Sequence, residues 1–182
     1  MALVESLSLE LGQVMPDFVL SDPNQASHHR DKLMGENGLI IAFTCNHCPY
    51  AIAIWPRLIA LSKTAQDQGF GTCAINPNIH PNYPDDQPDQ MAKKIQEWQI
   101  PFPYLIDETQ SIASAYQAQC TPDLYVINTK AELCYHGRLD DHWQDEAHVQ
   151  QEDLKLALDD LSQGKPVSRT QYPSMGCSIK WQ

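Results

Sequence analysis

Hydrophobic positions along the chain switch repeatedly between short runs and helical spacing. Leu39 to Phe43 is an unbroken apolar run, as expected of a strand buried on both faces. After it, Ile54, Leu58 and Leu61 recur on one helical face, and Pro56 within that segment removes a backbone donor and predicts a kink. Phe70 to Ile75 reads as the next strand, and Met91, Ile95 and Trp98, spaced by four and three, mark a second helix. Phe102 to Ile106 is short and strand-like, with Thr109 as the expected N-cap of a helix carrying Ile112, Ala113 and Tyr116. Leu124 to Ile127 and Leu133 to His136 are strands joined by a hairpin-like turn, Asn128 to Glu132. Leu154, Leu158 and Leu161 face one side of a last helix, which Gly164 and Pro166 terminate. This order predicts an α/β sheet whose last two strands form an antiparallel pair.

Two regions lack periodicity. Asn76 to Pro88 contains Pro77, Pro81, Pro84 and Pro88 and reads as a long, stiff loop at a strand end, suited to a binding wall or to a plain solvated connector. Ser168 to Gln182 is a tail containing Cys177 and Trp181, and a terminal Trp is expected to rest against something apolar.

The chain has 182 residues, enough for one domain with a real core but cramped for two. The expected organisation is a single domain over 1–182, with its core at about 14–164 and a tail at 165–182. A net charge of −11 argues against nucleic acid or an anionic membrane surface as partner. Met1 to Glu10 carries no Lys or Arg and lacks the charged start of a secretory signal, and no stretch reaches the length of a membrane span, so a cytoplasmic protein is expected. Six cysteines stand at 45, 48, 73, 120, 134 and 177. In a reducing compartment a domain of this size needs no disulfide staples, and a CxxC pair is catalytic or metal-binding rather than structural. Cys73 and Cys134 lie in apolar runs and are expected to be small core residues.

Candidate chemistry centres on Phe43-Thr44-Cys45-Asn46-His47-Cys48-Pro49-Tyr50. Two thiols three apart follow a strand and open a helix, where unpaired N–H groups and the positive end of the helix dipole favour a thiolate. The pair is therefore read as a thiol–disulfide centre. His47, between the thiols, could stabilise S⁻ as an imidazolium or could simply face solvent from a loop. Arg138 could lower a thiol pKa or bind an anion, although a surface ion pair with Asp140 or Asp141 explains it as well. A soft-metal carrier built from Cys45, Cys48 and a histidine such as His80 is a minor alternative. With no second CxxC to complete a structural zinc site, neither a resident metal nor another cofactor is expected.

The strand, the CxxC and the later Thr121-Pro122 before another strand together resemble the thioredoxin fold, and Pro16-Asp17-Phe18-Val19-Leu20 is similar to the start of the alkyl hydroperoxide reductase and thiol-specific antioxidant group. Phe43 to Tyr50, Phe102-Pro103-Tyr104-Leu105 with Asp107-Glu108-Thr109-Gln110, Cys120-Thr121-Pro122-Asp123, Gly137-Arg138-Leu139-Asp140-Asp141 and Gly176-Cys177-Ser178-Ile179-Lys180-Trp181 narrow the resemblance to the peroxiredoxin-like branch of that superfamily. The resemblance runs from about Pro16 to Trp181. It implies an α/β thioredoxin fold with a central mixed β-sheet flanked by helices, an N-terminal strand extension and a C-terminal tail. Cys45 should be the more exposed, attacking thiol and Cys48 the resolving one. It also implies a cis Thr121–Pro122 bond presenting the Thr121 backbone to a substrate as a docking edge, where a trans proline starting a strand is the plain alternative.

Three departures from the related patterns matter. The buried carboxylate that thioredoxins carry six residues before the first cysteine is replaced by Leu39, so proton transfer must come from His47, water or a group elsewhere. The peroxidatic signature places a threonine three residues before its cysteine, but Ala42 precedes Cys45 by three, Cys45 precedes Cys48 by three, and Thr44 is out of register. Thr44 also replaces the aromatic residue that precedes the first cysteine in thioredoxins. The function expected is a thiol–disulfide oxidoreductase acting on a disulfide-bearing protein or small thiol substrate, with an electron donor such as a thioredoxin reductase or glutathione system. A thiol peroxidase is the alternative, in which Cys120 or Cys177 would act as a separate resolving thiol unless they are buried spectators.

Overall fold

The computed structural model describes residues 3–182. Its central sheet has seven strands in the order β3-β2-β6-β5-β4-β8-β9. The strands are β2 (Val19–Ser21), β3 (Ser27–His29), β4 (Gly38–Phe43), β5 (Phe70–Asn76), β6 (Tyr104–Ile106), β8 (Asp123–Ile127) and β9 (Leu133–Gly137). β4, β5 and β6 run parallel, while β8 and β9 are antiparallel to their neighbours, so the sheet is mixed. The unbroken apolar run of β4 follows from its central place. Leu39, Ile41 and Phe43 enter one core with Cys73, Ile75, Tyr116 and Tyr125, whereas Ile40 and Ala42 enter the other with Trp55, Leu58, Tyr104 and Leu158.

Helices α2 (Pro49–Asp67), α3 (Pro88–Glu97) and α5 (Asp153–Ser162) supply residues to the second core, and α1 (Arg30–Leu33) and α4 (Ser111–Ala115) flank the first. This is an α/β thioredoxin-like fold with helices on both faces of a mixed sheet. Helix α2 continues through Pro56. Arg57 on the same helix anchors the loop after β9, donating to the Asp140 carboxylate (2.6 Å) and to the carbonyls of His142 (3.1 Å) and Trp143 (2.7 Å).

The expected Thr109 cap is displaced. Gln110 lies in the left-handed region (φ 59°), and helix α4 starts at Ser111. The Asp107 carboxylate does the capping, accepting the N–H of Ala113 (2.7 Å) and, more distantly, of Ile112 (3.4 Å). β6 is shorter than the apolar run Phe102–Ile106 because Pro103 can donate nothing, although its carbonyl still accepts from Ala74 (2.9 Å).

A second, three-stranded sheet joins the chain ends in the order β1-β10-β7, formed by β1 (Leu3–Glu5), β10 (Met175–Ser178) and β7 (Cys120–Thr121). Both flanks of β10 are tied down. Ser174 N–H donates to Ser6 Oγ (2.9 Å) and Ser174 Oγ to the Gly137 carbonyl (2.6 Å). On the other side Lys180 N–H donates to Asn78 Oδ1 (2.9 Å), and the Gln110 side chain bonds both the Lys180 carbonyl (2.7 Å) and Gln182 N–H (2.9 Å). Trp181, expected against an apolar surface, is 48% exposed, and the neighbouring Ile179 is the buried anchor instead.

Candidate active site

β4 delivers the chain to residues 44–48 at its C-terminal end, where Thr44 N–H donates to the Ile75 carbonyl (2.9 Å). Helix α2 begins only at Pro49, which suits a first helical position because its φ is preset and no N–H is required there. Cys48 is therefore the N-cap, and its carbonyl accepts from Ile52 (2.9 Å). The expectation that Cys45 opens the helix as the more exposed thiol is corrected on both points. Cys45 lies in the loop before the helix, and both sulfurs are fully buried.

The helix terminus consequently acts on Cys48. Hydrogen bonding from the Cys45 thiol pulls the Cys48 pKa down to about 5 against the opposing effect of burial, aided by the Cys177 thiol and the N–H groups of Ala51 and Cys177. When protonated, Cys48 donates to the Thr121 carbonyl (3.1 Å). Burial pushes the Cys45 thiol well above its ordinary value, as do its bond to Cys48 and the nearby Asp86 charge, while a hydrogen bond shared with Thr121 Oγ1 (3.2 Å) opposes them. Burial and then the bond to Cys48 push Cys177 up to about 12. Of the three neighbouring sulfurs Cys48 is thus the one whose ionised form is favoured, with Ala51 and Tyr50 packed beside them.

The proline-rich segment forms a wall of this site. Its turn Pro84–Asp86 inserts the fully buried Asp86, whose carboxylate accepts Asn46 N–H (2.6 Å), accepts from Asn76 Nδ2 (3.2 Å) and pairs with His47 Nδ1. Tyr83 stacks on the His47 ring at 4.8 Å, and Asn46 is further fixed by Tyr104 Oη and the Asp85 carbonyl. Among the described residues His47 Nε2 is buried without a hydrogen-bond partner. The dyad supplies the carboxylate that Leu39 does not. Sequence reasoning missed Asp86, since no periodicity singles it out; the only signal is its acidic place in a rigid loop at a strand end.

Thr121–Pro122 is cis. The Thr121 backbone is not free to receive a substrate strand, however, because β10 already pairs there, with Cys177 opposite Thr121 and Ser178 opposite Cys120. Gly176 makes that approach possible, as a Cβ would stand 2.0 Å from the Thr121 carbonyl oxygen. Thr121, Pro122 and Cys177 therefore meet Cys45, Cys48 and His47 in one place.

Other candidates lie apart. Arg138 donates to Asp153 (2.6 Å) and covers the Tyr172 ring, in place of the expected ion pair with Asp140 or Asp141; Asp140 binds Arg57. Together with Pro122, Trp143 and Met175, Arg138 lines a cavity of about 270 Å³. Cys120 is buried, its thiol directed at the Pro122 carbonyl (3.4 Å), and Cys73 is a core residue. Cys134, also expected in the core, is only partly buried. The hydroxyl bonded to Cys45 comes from Thr121 and not from Thr44. His80 Nδ1 accepts Asn82 N–H (3.0 Å). Among the described residues the group whose ligand atoms converge is Cys45, His47 and Asp86, all within 4.8 Å of one another. A thiolate, an imidazole and a carboxylate form a donor set that suits a zinc-like ion.

Comparison with known proteins gives the same framework. The model of the AhpC/TSA family matches residues 11–136. A crystal structure of an uncharacterized conserved protein from Geobacillus kaustophilus is 38% identical, with a TM-score of 0.94 over 100% of this chain and 97% of that one. A hypothetical protein from Sinorhizobium meliloti 1021 is 35% identical, with a TM-score of 0.92 over 98% of each chain. Peroxidoxin BcpB from Mycobacterium tuberculosis shares the fold at a TM-score of 0.63 and 14% identity, over 90% of this chain and all of the other. No functionally curated protein matches the sequence.

Proposed function

Because the chain belongs to the AhpC/TSA family of thiol-based redox proteins, we propose that it is a dithiol–disulfide oxidoreductase in which Cys48 is the attacking thiolate. The observation that carries this reading is Cys48 at the N-cap of α2, packed against Cys45 and Cys177, a placement that lowers its pKa through the Cys45 thiol and the N–H groups around it. Cys48 attacks a disulfide R–S–S–R′; a Cys48–S–R bond forms, the substrate S–S bond breaks, and R′S⁻ leaves and is protonated. Cys45 then gives its proton to His47, which Asp86 orients, and attacks Cys48 Sγ, forming the Cys45–Cys48 bond and expelling RS⁻. The substrate gains two electrons and the protein loses two. These roles reverse the order expected from the sequence, because the helix starts after Cys48. A thiol donor of the thioredoxin-reductase or glutathione type returns the oxidised pair to the dithiol. Peroxide reduction is the alternative; the threonine of the peroxidatic signature is out of register here, and the Arg138 guanidinium, the candidate for binding an anion, is committed to Asp153.

Equilibration with glutathione redox buffers, read by alkylation and mass spectrometry, tests this reading. A reversible disulfide involving Cys48, with a potential between about −270 and −120 mV, is expected. Cys48→Ser should abolish disulfide reduction, and unchanged activity in that variant would refute the assignment. The Cys45–His47–Asp86 grouping favours a second reading, a zinc site that masks Cys45. Stoichiometric zinc in purified protein, and protection of Cys45 from alkylation until the metal is chelated, would establish it.

A further inference from the structure

The tail brings a third thiol to the pair. Cys177 stands opposite Thr121 in the β10–β7 ladder, and Cys48 Sγ lies against the Thr121 carbonyl (3.1 Å), so the ladder brings the two cysteines together. Cys177 is buried with Cys45, Cys48 and Ala51 in a cluster separate from both cores. An extended segment, antiparallel to the residue before the cis proline and carrying a cysteine against the reactive sulfur, has the placement required of a disulfide substrate bound by strand addition. Here the chain supplies that segment itself.

Building on the oxidoreductase reading, we propose that Cys177 is a third redox residue, which takes over the Cys45–Cys48 disulfide. The Cys177 sulfur attacks Cys48 Sγ; the Cys48–Cys177 bond forms as the Cys45–Cys48 bond breaks, and the proton of the Cys177 thiol ends on Cys45. No net electrons are gained or lost in this step. Oxidation then rests on a bond between α2 and the C-terminal strand, and Cys45 is returned to the thiol state. The same geometry lets Cys177 resolve a mixed disulfide on Cys48 directly when Cys45 is absent. Gly176 keeps the strand close enough for either exchange.

The test uses oxidised glutathione and the reduced full-length protein. Wild type should release two glutathione molecules per chain and show a Cys48–Cys177 bond on peptide mapping. Cys45→Ser should also release two and form the same bond. Cys177→Ser should release two and stop at Cys45–Cys48, and Cys45→Ser combined with Cys177→Ser should release one and retain glutathione on Cys48. The proposal is overturned if Cys45→Ser releases only one, or if wild type forms Cys45–Cys48 while Cys177 remains fully alkylatable; the oxidoreductase reading survives both results. Absence of any glutathione release from folded wild-type protein overturns both.

Discussion

At the scale of single residues, the site depends on which of its thiols carries the charge. With Cys48 held at about 5, its alkylation by iodoacetamide should be flat from about pH 6 to pH 8 and fall as pH drops through 5. The sign for stability follows. A thiol depressed from about 9 to about 5 contributes fully above 9, progressively less between 9 and 5, and nothing below 5. Reduced wild type should therefore lose urea resistance relative to Cys48→Ser as pH falls through that window, which equilibrium unfolding at several pH values measures. Asp86→Asn should leave the first attack intact but slow resolution by Cys45 on the order of 10- to 100-fold, the range of a general-base contribution weakened but not removed. Rapid-quench mass spectrometry would show the mixed disulfide accumulating in the variant, best observed in a Cys177→Ser background. Sequence reasoning found Cys45, His47, Cys48, Thr121 and Pro122 because they sit in motifs. It could not find Asp86, whose partner His47 is 39 positions away, nor decide between the thiols, because that choice turned on where Pro49 starts the helix.

At the scale of elements, runs and periodicities were legible where packing on two faces enforces them. β4, β5, β8 and helix α2 follow the hydrophobic pattern closely. The short strands β2 and β3 and the tail strand β10 did not show, since three or four residues such as Met-Gly-Cys-Ser carry no alternation. Helix α4 illustrates a cap hidden from sequence rules, because the acceptor Asp107 stands several residues before the first turn. Asp107→Ala should cost about 1–2 kcal/mol, visible as a lowered Tm. Gly176→Ala forces a Cβ onto the Thr121 carbonyl, and displacement of β10 at a cost of about 1–3 kcal/mol is expected. Faster alkylation of Cys48 with an otherwise intact circular dichroism spectrum is the result to look for.

At the scale of the whole molecule, the charge of −11 acts on encounter rather than on chemistry. A dicationic disulfide such as cystamine should react faster than anionic oxidised glutathione at low salt, and the ratio should shrink as ionic strength rises past about 0.1 M, where the Debye length falls to ~10 Å. Stopped-flow rates across a salt series decide this. Among the described residues no helix is long and apolar enough to cross a membrane.

The fastening of the C-terminal segment on both flanks, to Ser6 and Gly137 on one side and to Asn78 and Gln110 on the other, has a kinetic meaning. A strap buckled at both ends cannot swing aside as a flap; it can only bow, and the amplitude of that bowing sets the mesh through which reagents pass. Small oxidants would meet the buried sulfur by waiting for brief openings, whereas a folded protein would have to undo one buckle first. The molecule would then sort its oxidants by bulk before chemistry begins, with the slowest step belonging to the strap and not to sulfur.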